Sequence, residues 1–177
     1  MNKIYLTKNG IIEESIVDGP GLRMVIFMAG CPHQCDGCHN PTSWDITKGI
    51  EYQINDLFDI IQSEFHEPSI LSGITISGGE PFMQYEALYE LLNKIKFIKR
   101  DEKINIWVYT GYVFEELISM EKIYTDILKY IDVLVDGKYI KSKYIEKKLK
   151  WIGSSNQRII DLNKTFKFGK IELLDIE

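Results

Sequence analysis

The hydrophobic pattern of this chain changes period along its length. Residues 22–29 (LRMVIFMA) form a short apolar run with β-branched and aromatic members that stops at Gly30, the mark of a buried strand. Over residues 53–65 the apolar positions are Ile54, Leu57, Phe58, Ile61 and Phe65, which is the spacing of one helix face. Residues 70–77 (ILSGITIS) predict a second strand, and residues 84–99 a second helix with Leu88, Leu91, Leu92, Ile95 and Ile98 on one side. Residues 104–109 (INIWVY) predict a strand, residues 113–130 a helix broken near Met120, and residues 131–135 (IDVLV) another strand. After Asp136 the pattern weakens, and residues 158–162 and 167–175 read as two further short strands.

Strand and helix alternate, which argues for an α/β fold with parallel strands joined by right-handed crossovers. The unusual loops share one position in that scheme. Cys31-Pro-His-Gln-Cys-Asp-Gly-Cys38 follows the first of these strands and Gly78-Gly-Glu-Pro81 the second. Thr110-Gly-Tyr112 follows the third and Asp136-Gly-Lys138 the fourth. Ligands of parallel α/β folds bind at the carboxyl ends of strands, so four loops meet on one rim.

Composition narrows the class. A length of 177 residues suits a single domain, and 45% hydrophobic with 27% charged residues is the balance of a globular protein. A formal net charge of −5 weighs against a nucleic-acid partner. The basic run Lys138, Lys141, Lys143, Lys147, Lys148 and Lys150 reads as a solvated face. No stretch approaches the about 18 apolar residues of a membrane span, and the N-terminus lacks the apolar core of a signal peptide, so no membrane association and a cytoplasmic location are expected. The cysteines Cys31, Cys35 and Cys38 are odd in number and crowded together, unlike a disulfide framework. They predict a metal or cluster site.

Their spacing is C-x3-C-x2-C. Three thiolates can each bind one iron of a cubane and leave one iron open to a ligand, whereas electron-transfer clusters ordinarily use four cysteines. An open position is what separates a catalytic metal site from a structural one. The alternative is a zinc knuckle completed by His33 or His39, but zinc ligands usually come as two separated pairs. His33 and His39 are read either as contacts around the site or as packing, and His66 as a surface residue. Gly78 and Gly79 can let a ligand approach the backbone, and Glu80 can pair with an ammonium. Neither the phosphate-loop nor the dinucleotide glycine pattern occurs. Asp18-Gly-Pro-Gly21 reads as a turn, and Gly153-Ser-Ser-Asn-Gln-Arg158 as a polar loop that is plain surface or closes over a substrate.

The cysteine loop after one strand and Gly-Gly-Glu-Pro after the next together resemble the S-adenosylmethionine radical enzymes. The string from Asp18-Gly-Pro-Gly-Leu-Arg23 through Gly30-Cys-Pro-His-Gln-Cys-Asp-Gly-Cys-His-Asn40 is similar to the activating enzymes of glycyl-radical proteins. Trp107-Val-Tyr-Thr-Gly-Tyr112, Asp132-Val-Leu-Val-Asp-Gly-Lys138 and Gly153-Ser-Ser-Asn-Gln-Arg158 resemble the branch acting on anaerobic ribonucleoside-triphosphate reductase. The resemblance covers about residues 17–158. It implies a partial, open (β/α) barrel and a [4Fe–4S] cluster on Cys31, Cys35 and Cys38. It implies S-adenosylmethionine chelating the open iron and cleaved to a 5′-deoxyadenosyl radical. Gly78, Gly79 and Glu80 would hold its methionyl end, and Gly37, Cys38 and His39 would line it, with Thr110 and Asp136 further along the rim. The implied partners are the large subunit of the reductase, which receives a glycyl radical, and a flavodoxin-like electron donor. The rival readings are an activase of pyruvate formate-lyase or another glycyl-radical enzyme, 7-carboxy-7-deazaguanine synthase, and a non-enzymatic iron–sulfur or zinc module.

Overall fold

Side-chain alternation along the central strands sorts the interior into two unlike halves. The computed structural model describes residues 3–66, 69–98, 104–145 and 151–175. Strands β1 (Lys3–Ser15), β2 (Arg23–Met28), β3 (Ile50–Gln53), β4 (Gly73–Gly78), β5 (Asn105–Tyr109), β6 (Val133–Asp136) and β7 (Arg158–Asp161) form one open sheet. Its order is β3-β1-β2-β4-β5-β6-β7. The four strands read from the sequence as parallel, β2, β4, β5 and β6, are parallel neighbours. Antiparallel pairings add β1 and β3 on one flank and β7 on the other. Helices α1 (Ile54–Glu64), α2 (Tyr85–Ile95), α3 (Phe114–Ser119) and α4 (Lys122–Leu128) make the crossovers, and α5 (Leu162–Phe168) follows β7. This is the partial, open α/β architecture expected.

On the helix-covered face, Met24, Ile26, Met28, Ile74, Ile76, Ile106, Val108 and Leu134 pack with Leu57, Ile61, Leu88, Leu91, Leu92 and Leu117 in one cluster. Burying each such side chain contributes about 1.5–3 kcal/mol. The intervening residues form the other face, where Trp107, Val133, Val135 and Ile159 pack with Tyr109, Trp151 and Ile152.

Among the described residues no helix covers that second face, and it is filled partly by polar groups. Arg23 is fully buried there. Its Nε donates to Thr75 Oγ1 at 2.8 Å, and its terminal nitrogens donate to Asn105 Oδ1 at 2.7 Å, Ile74 O at 2.8 Å, Asn105 O at 3.1 Å and Pro20 O at 3.3 Å. The guanidinium lies 5.5 Å from the Trp107 ring centroid. Burial brings its pKa down to about 10, outweighing the opposite pull of Tyr109, Asp132 and Asp18. The Asp18-Gly-Pro-Gly21 segment is therefore more than a turn. It lies over Arg23, with Thr75 Oγ1 donating to Asp18 O at 2.7 Å, and a Cβ on Gly19 would fall 2.7 Å from Arg23 Cδ.

Several expectations are corrected. Strands β1 and β3 add to the elements that the apolar pattern predicts, because β1 buries only alternate residues such as Ile4 and Leu6 and so leaves no apolar run. The predicted strand at residues 167–175 is instead the end of α5 and a coil. Asp161 caps that helix by accepting from Lys164 N at 2.9 Å, and Gly169 ends it in the left-handed region at φ 66°. Only an isolated bridge between Ile160 and Leu173 remains. The predicted break at Met120 stands between α3 and α4. Lys138, Lys141 and Lys143 are exposed, while Lys147, Lys148 and Lys150 lie outside the described residues, as does Lys99 at the end of the second predicted helix. Among the described residues no helix is long and apolar enough to cross a membrane.

At the far flank, Arg158 on β7 ties three elements together. It donates to Asp136 Oδ1 at 3.0 Å and to Glu115 at 2.9 and 2.6 Å, and Asp136 Oδ2 accepts from Phe114 N at 2.8 Å at the start of α3. Hydrogen bonds from Arg158 hold the Glu115 carboxyl down at about 2. A lowered carboxyl pKa stabilises the fold above the ordinary value, and that stabilisation disappears as pH falls towards the folded value. Glu115→Gln should therefore destabilise by no more than about 1 kcal/mol near neutrality, given its exposure. The deficit should shrink between pH 5 and about pH 2, read as melting temperature against pH. Arg23→Lys should cost about 2–3 kcal/mol in urea denaturation, because a compact ammonium cannot reach the guanidinium's acceptors and leaves buried oxygens unpaired.

Candidate active site

The chain leaves β2 into the cysteine loop through Gly30, whose φ of 90° is open to glycine and strained for other residues. The backbone is then held from two sides. Gly30 N donates to Ser43 O at 2.7 Å and Cys31 N to Trp44 O at 3.0 Å, which ties the loop to the segment that follows it. Gly79 N donates to Met28 O and Glu80 N to Gly30 O, both at 2.7 Å, which ties it to the turn after β4. Gln84 adds a third clamp, donating to Tyr5 O and Ala29 O at 2.8 Å while accepting from Tyr5 N at 2.9 Å.

These contacts revise the reason for Gly78 and Gly79. A Cβ on Gly78 would lie 2.4 Å from Met28 N and O, and one on Gly79 would lie 2.2 Å from Gly30 O. The missing side chains make room for the protein's own backbone, and the two motifs are hydrogen-bonded to each other.

The three cysteines are free, partly exposed and carried on this single loop. Burial pushes the Cys31 thiol up, opposed by the N–H groups of His33 and Gln34 directed at its sulfur. Asn40 N donates to Cys38 Sγ at 3.4 Å, and Cys38 N to Cys35 O at 3.1 Å. Gly37 turns the loop at φ 77°, and His39 is exposed with its ring edge-on to Tyr139 at 5.9 Å. Unpaired thiols that receive backbone N–H groups fit an iron–sulfur cluster, whose thiolates are tuned by such bonds. Among the described residues, no three His, Cys, Asp or Glu side chains are grouped to hold a single metal ion. A cubane makes no such demand, since each thiolate takes a different iron.

Glu80 is fully buried and its carboxylate has four protein partners. Oε1 accepts from Phe82 N at 3.0 Å and Thr110 Oγ1 at 2.9 Å; Oε2 accepts from Gly111 N at 2.7 Å and is 2.8 Å from His33 Nε2. With its proton on Nε2 the imidazole donates this bond to the carboxylate oxygen. The structure thus brings Glu80 and Thr110 together on the rim. It does not bring Asp136 to them: that side chain is fully buried against Arg158 and α3. His33 and Gly111 were the residues whose part the sequence left open or unnoticed. Their partners lie on other strands, and no local spacing signals them.

A cleft of about 400 Å³ opens beside the loop, lined by Cys38, His39, Gly78, Tyr109, Tyr139, Trp151 and Gln157, with Val17 and Asp18 on its far side. Burial pushes the Tyr109 phenol well up, so it stays a neutral hydroxyl. Gln157, in the polar loop, accepts from Gly153 N at 2.7 Å and Ser154 N at 3.1 Å, and donates to Gly137 O at 3.0 Å. That loop is one wall of the cleft rather than plain surface.

A model of the 4Fe–4S single cluster domain matches residues 17–160. The anaerobic ribonucleoside-triphosphate reductase-activating protein of Enterobacteria phage T4 is 36% identical over 144 residues, 81% of this chain and 86% of the relative. The protein of the same name from Vibrio cholerae serotype O1 is 37% identical over 147 residues, 81% of this chain and 90% of the relative. Among solved structures, QueE from Escherichia coli overlaps 62% of this chain and 52% of its own at a TM-score of 0.44 and 18% identity, a likeness too loose to carry an argument. Sequence match and site together place the chain: it belongs to the family of anaerobic ribonucleoside-triphosphate reductase-activating proteins, built on a 4Fe–4S single cluster domain.

Proposed function

We propose that this chain is a radical S-adenosylmethionine activase that installs a glycyl radical on the large subunit of an anaerobic ribonucleoside-triphosphate reductase. The observation that carries the reading is the joining of the C-x3-C-x2-C loop to the Gly-Gly turn by paired backbone hydrogen bonds at adjacent strand ends. Family membership names the partner class. A [4Fe–4S] cluster, held by these cysteines with one iron open and reduced by one electron from a donor protein, would supply that electron to the sulfonium of S-adenosylmethionine, whose S–C5′ bond would part into methionine and a 5′-deoxyadenosyl radical able to take a hydrogen atom from a glycine Cα.

The protein's own part is to hold and shield. Cys31, Cys35 and Cys38 are the ligands in this reading. The Glu80 side chain is already satisfied within the protein, so Gly78, Gly79 and Glu80 meet the methionyl end through backbone. Gly37, Cys38 and His39 form the near wall. Thr110 acts through Glu80, and Asp136 through Arg158 and α3, as supports of the rim. The cleft that runs from Cys38 to Val17 and Trp151 takes the partner's glycine-bearing segment. A cleft that opens beside the cysteine loop suits a macromolecular substrate, because a segment of another protein must reach the reacting carbon. A flavodoxin-like protein as electron donor and a cytoplasmic location complete the reading.

The test is anaerobic reconstitution followed by reduction, addition of S-adenosylmethionine, and EPR with each candidate partner in turn. A glycyl doublet is expected with the reductase; a doublet appearing only with a formate-lyase would reassign the substrate. Cys31→Ala, Cys35→Ala and Cys38→Ala should each abolish 5′-deoxyadenosine formation, and turnover surviving in any of them would remove that residue from the ligand set.

A further inference from the structure

His33 sits inside the cysteine loop, yet its side chain leaves the loop. The imidazole is only 6% exposed and reaches across to Glu80 on the turn after β4. It stands edge-on to Tyr112 with ring centroids 4.6 Å apart. It also lies where a side chain on Gly111 would be: a Cβ there would fall 2.2 Å from His33 Cδ2 and 2.5 Å from Nε2. The next residue, Gln34, has a φ of 45°, an uncommon conformation for a residue with a side chain, which persists only where its surroundings enforce it. Glu80, for its part, is held by donors from β5 and from its own turn as well as by His33. The imidazole is thus a peg from a strained loop into a socket built on two other strand ends.

We infer that His33 is a positioning residue: docked on Glu80 and Gly111, it sets the conformation of residues 31–38 and so the retention of the cluster those cysteines hold. The inference rests on the cluster reading above and adds to it a residue outside the ligand set. Glu80 and Gly111 share the role, one as hydrogen-bond acceptor, the other by its lack of a side chain. His33 lies between Cys31 and Cys35 on the loop, so disturbing the socket loosens the loop while removing none of its thiols.

The experiment follows iron release from anaerobically reconstituted protein into a ferrous chelator, with far-UV circular dichroism of the same samples. His33→Leu removes the hydrogen bond to Glu80 at similar bulk, and Gly111→Ala fills the socket while leaving the loop's own sequence unchanged. Both should release iron at least about tenfold faster than the unaltered chain, the scale on which residues around a metal site act. His33→Gln, which can still donate to Glu80, should stay within about threefold. Release at the unaltered rate in both His33→Leu and Gly111→Ala would overturn the proposal. So would loss of the circular-dichroism signature in both, which would make His33 a support of the whole fold rather than of the loop. Failure of the unaltered chain to take up iron would instead count against the cluster reading itself.

Discussion

A carboxyl group is costly to bury unless its oxygens are hydrogen-bonded, and Glu80 meets that condition with partners from three parts of the chain. Phe82 N comes from its own turn, Thr110 and Gly111 from the end of β5, and His33 from the cysteine loop. Removing any one donor would leave charge unsatisfied in a dry setting. The three loops therefore have one mutual arrangement, and the position of the cysteines is part of it. Glycines at 78, 79 and 111 belong to the same constraint: each lacks a side chain because another part of the rim occupies the space.

A second buried charge stands lower on the same inner face. Arg23 fills the floor of the open sheet, held by Thr75, Asn105 and backbone carbonyls and lidded by the Asp18-Gly-Pro-Gly21 segment. An ordinary barrel would pack that floor with apolar layers. Here the face is closed by the chain's own loops, with Trp107 and Trp151 edge-on at 5.3 Å beside the guanidinium. Tyr109 and Trp151, which pack on that floor, also line the open cleft next to Cys38, whose wall includes the exposed Val17. Chemistry on another macromolecule needs such a wall, and the core behind the sheet is what keeps it rigid.

Much of this was legible in one dimension. The four parallel strands and their helices follow from apolar periodicity, because a buried strand is apolar on both faces and a packed helix on one. The proposed ligand set follows from three cysteines at close spacing, since cluster chemistry needs thiolates and local spacing sets which of them can share a loop. Strand β1, with alternate residues exposed, and α5, begun by a single aspartate cap, carried weaker signals and were missed or misread.

What the sequence by itself determined is the chemistry: which atoms can bind iron, which strand each loop follows, and hence that the loops gather on one rim. What only the tertiary structure decided is how those loops are joined. The bonds of His33, Thr110 and Gly111 to Glu80, the peg of His33 over Gly111, the seating of Gly79 against Gly30 and the withdrawal of Asp136 to Arg158 all pair residues that lie far apart in the chain. Local propensity is set by neighbours along the backbone, and no local pattern records a bond whose two ends meet only after the sheet has formed.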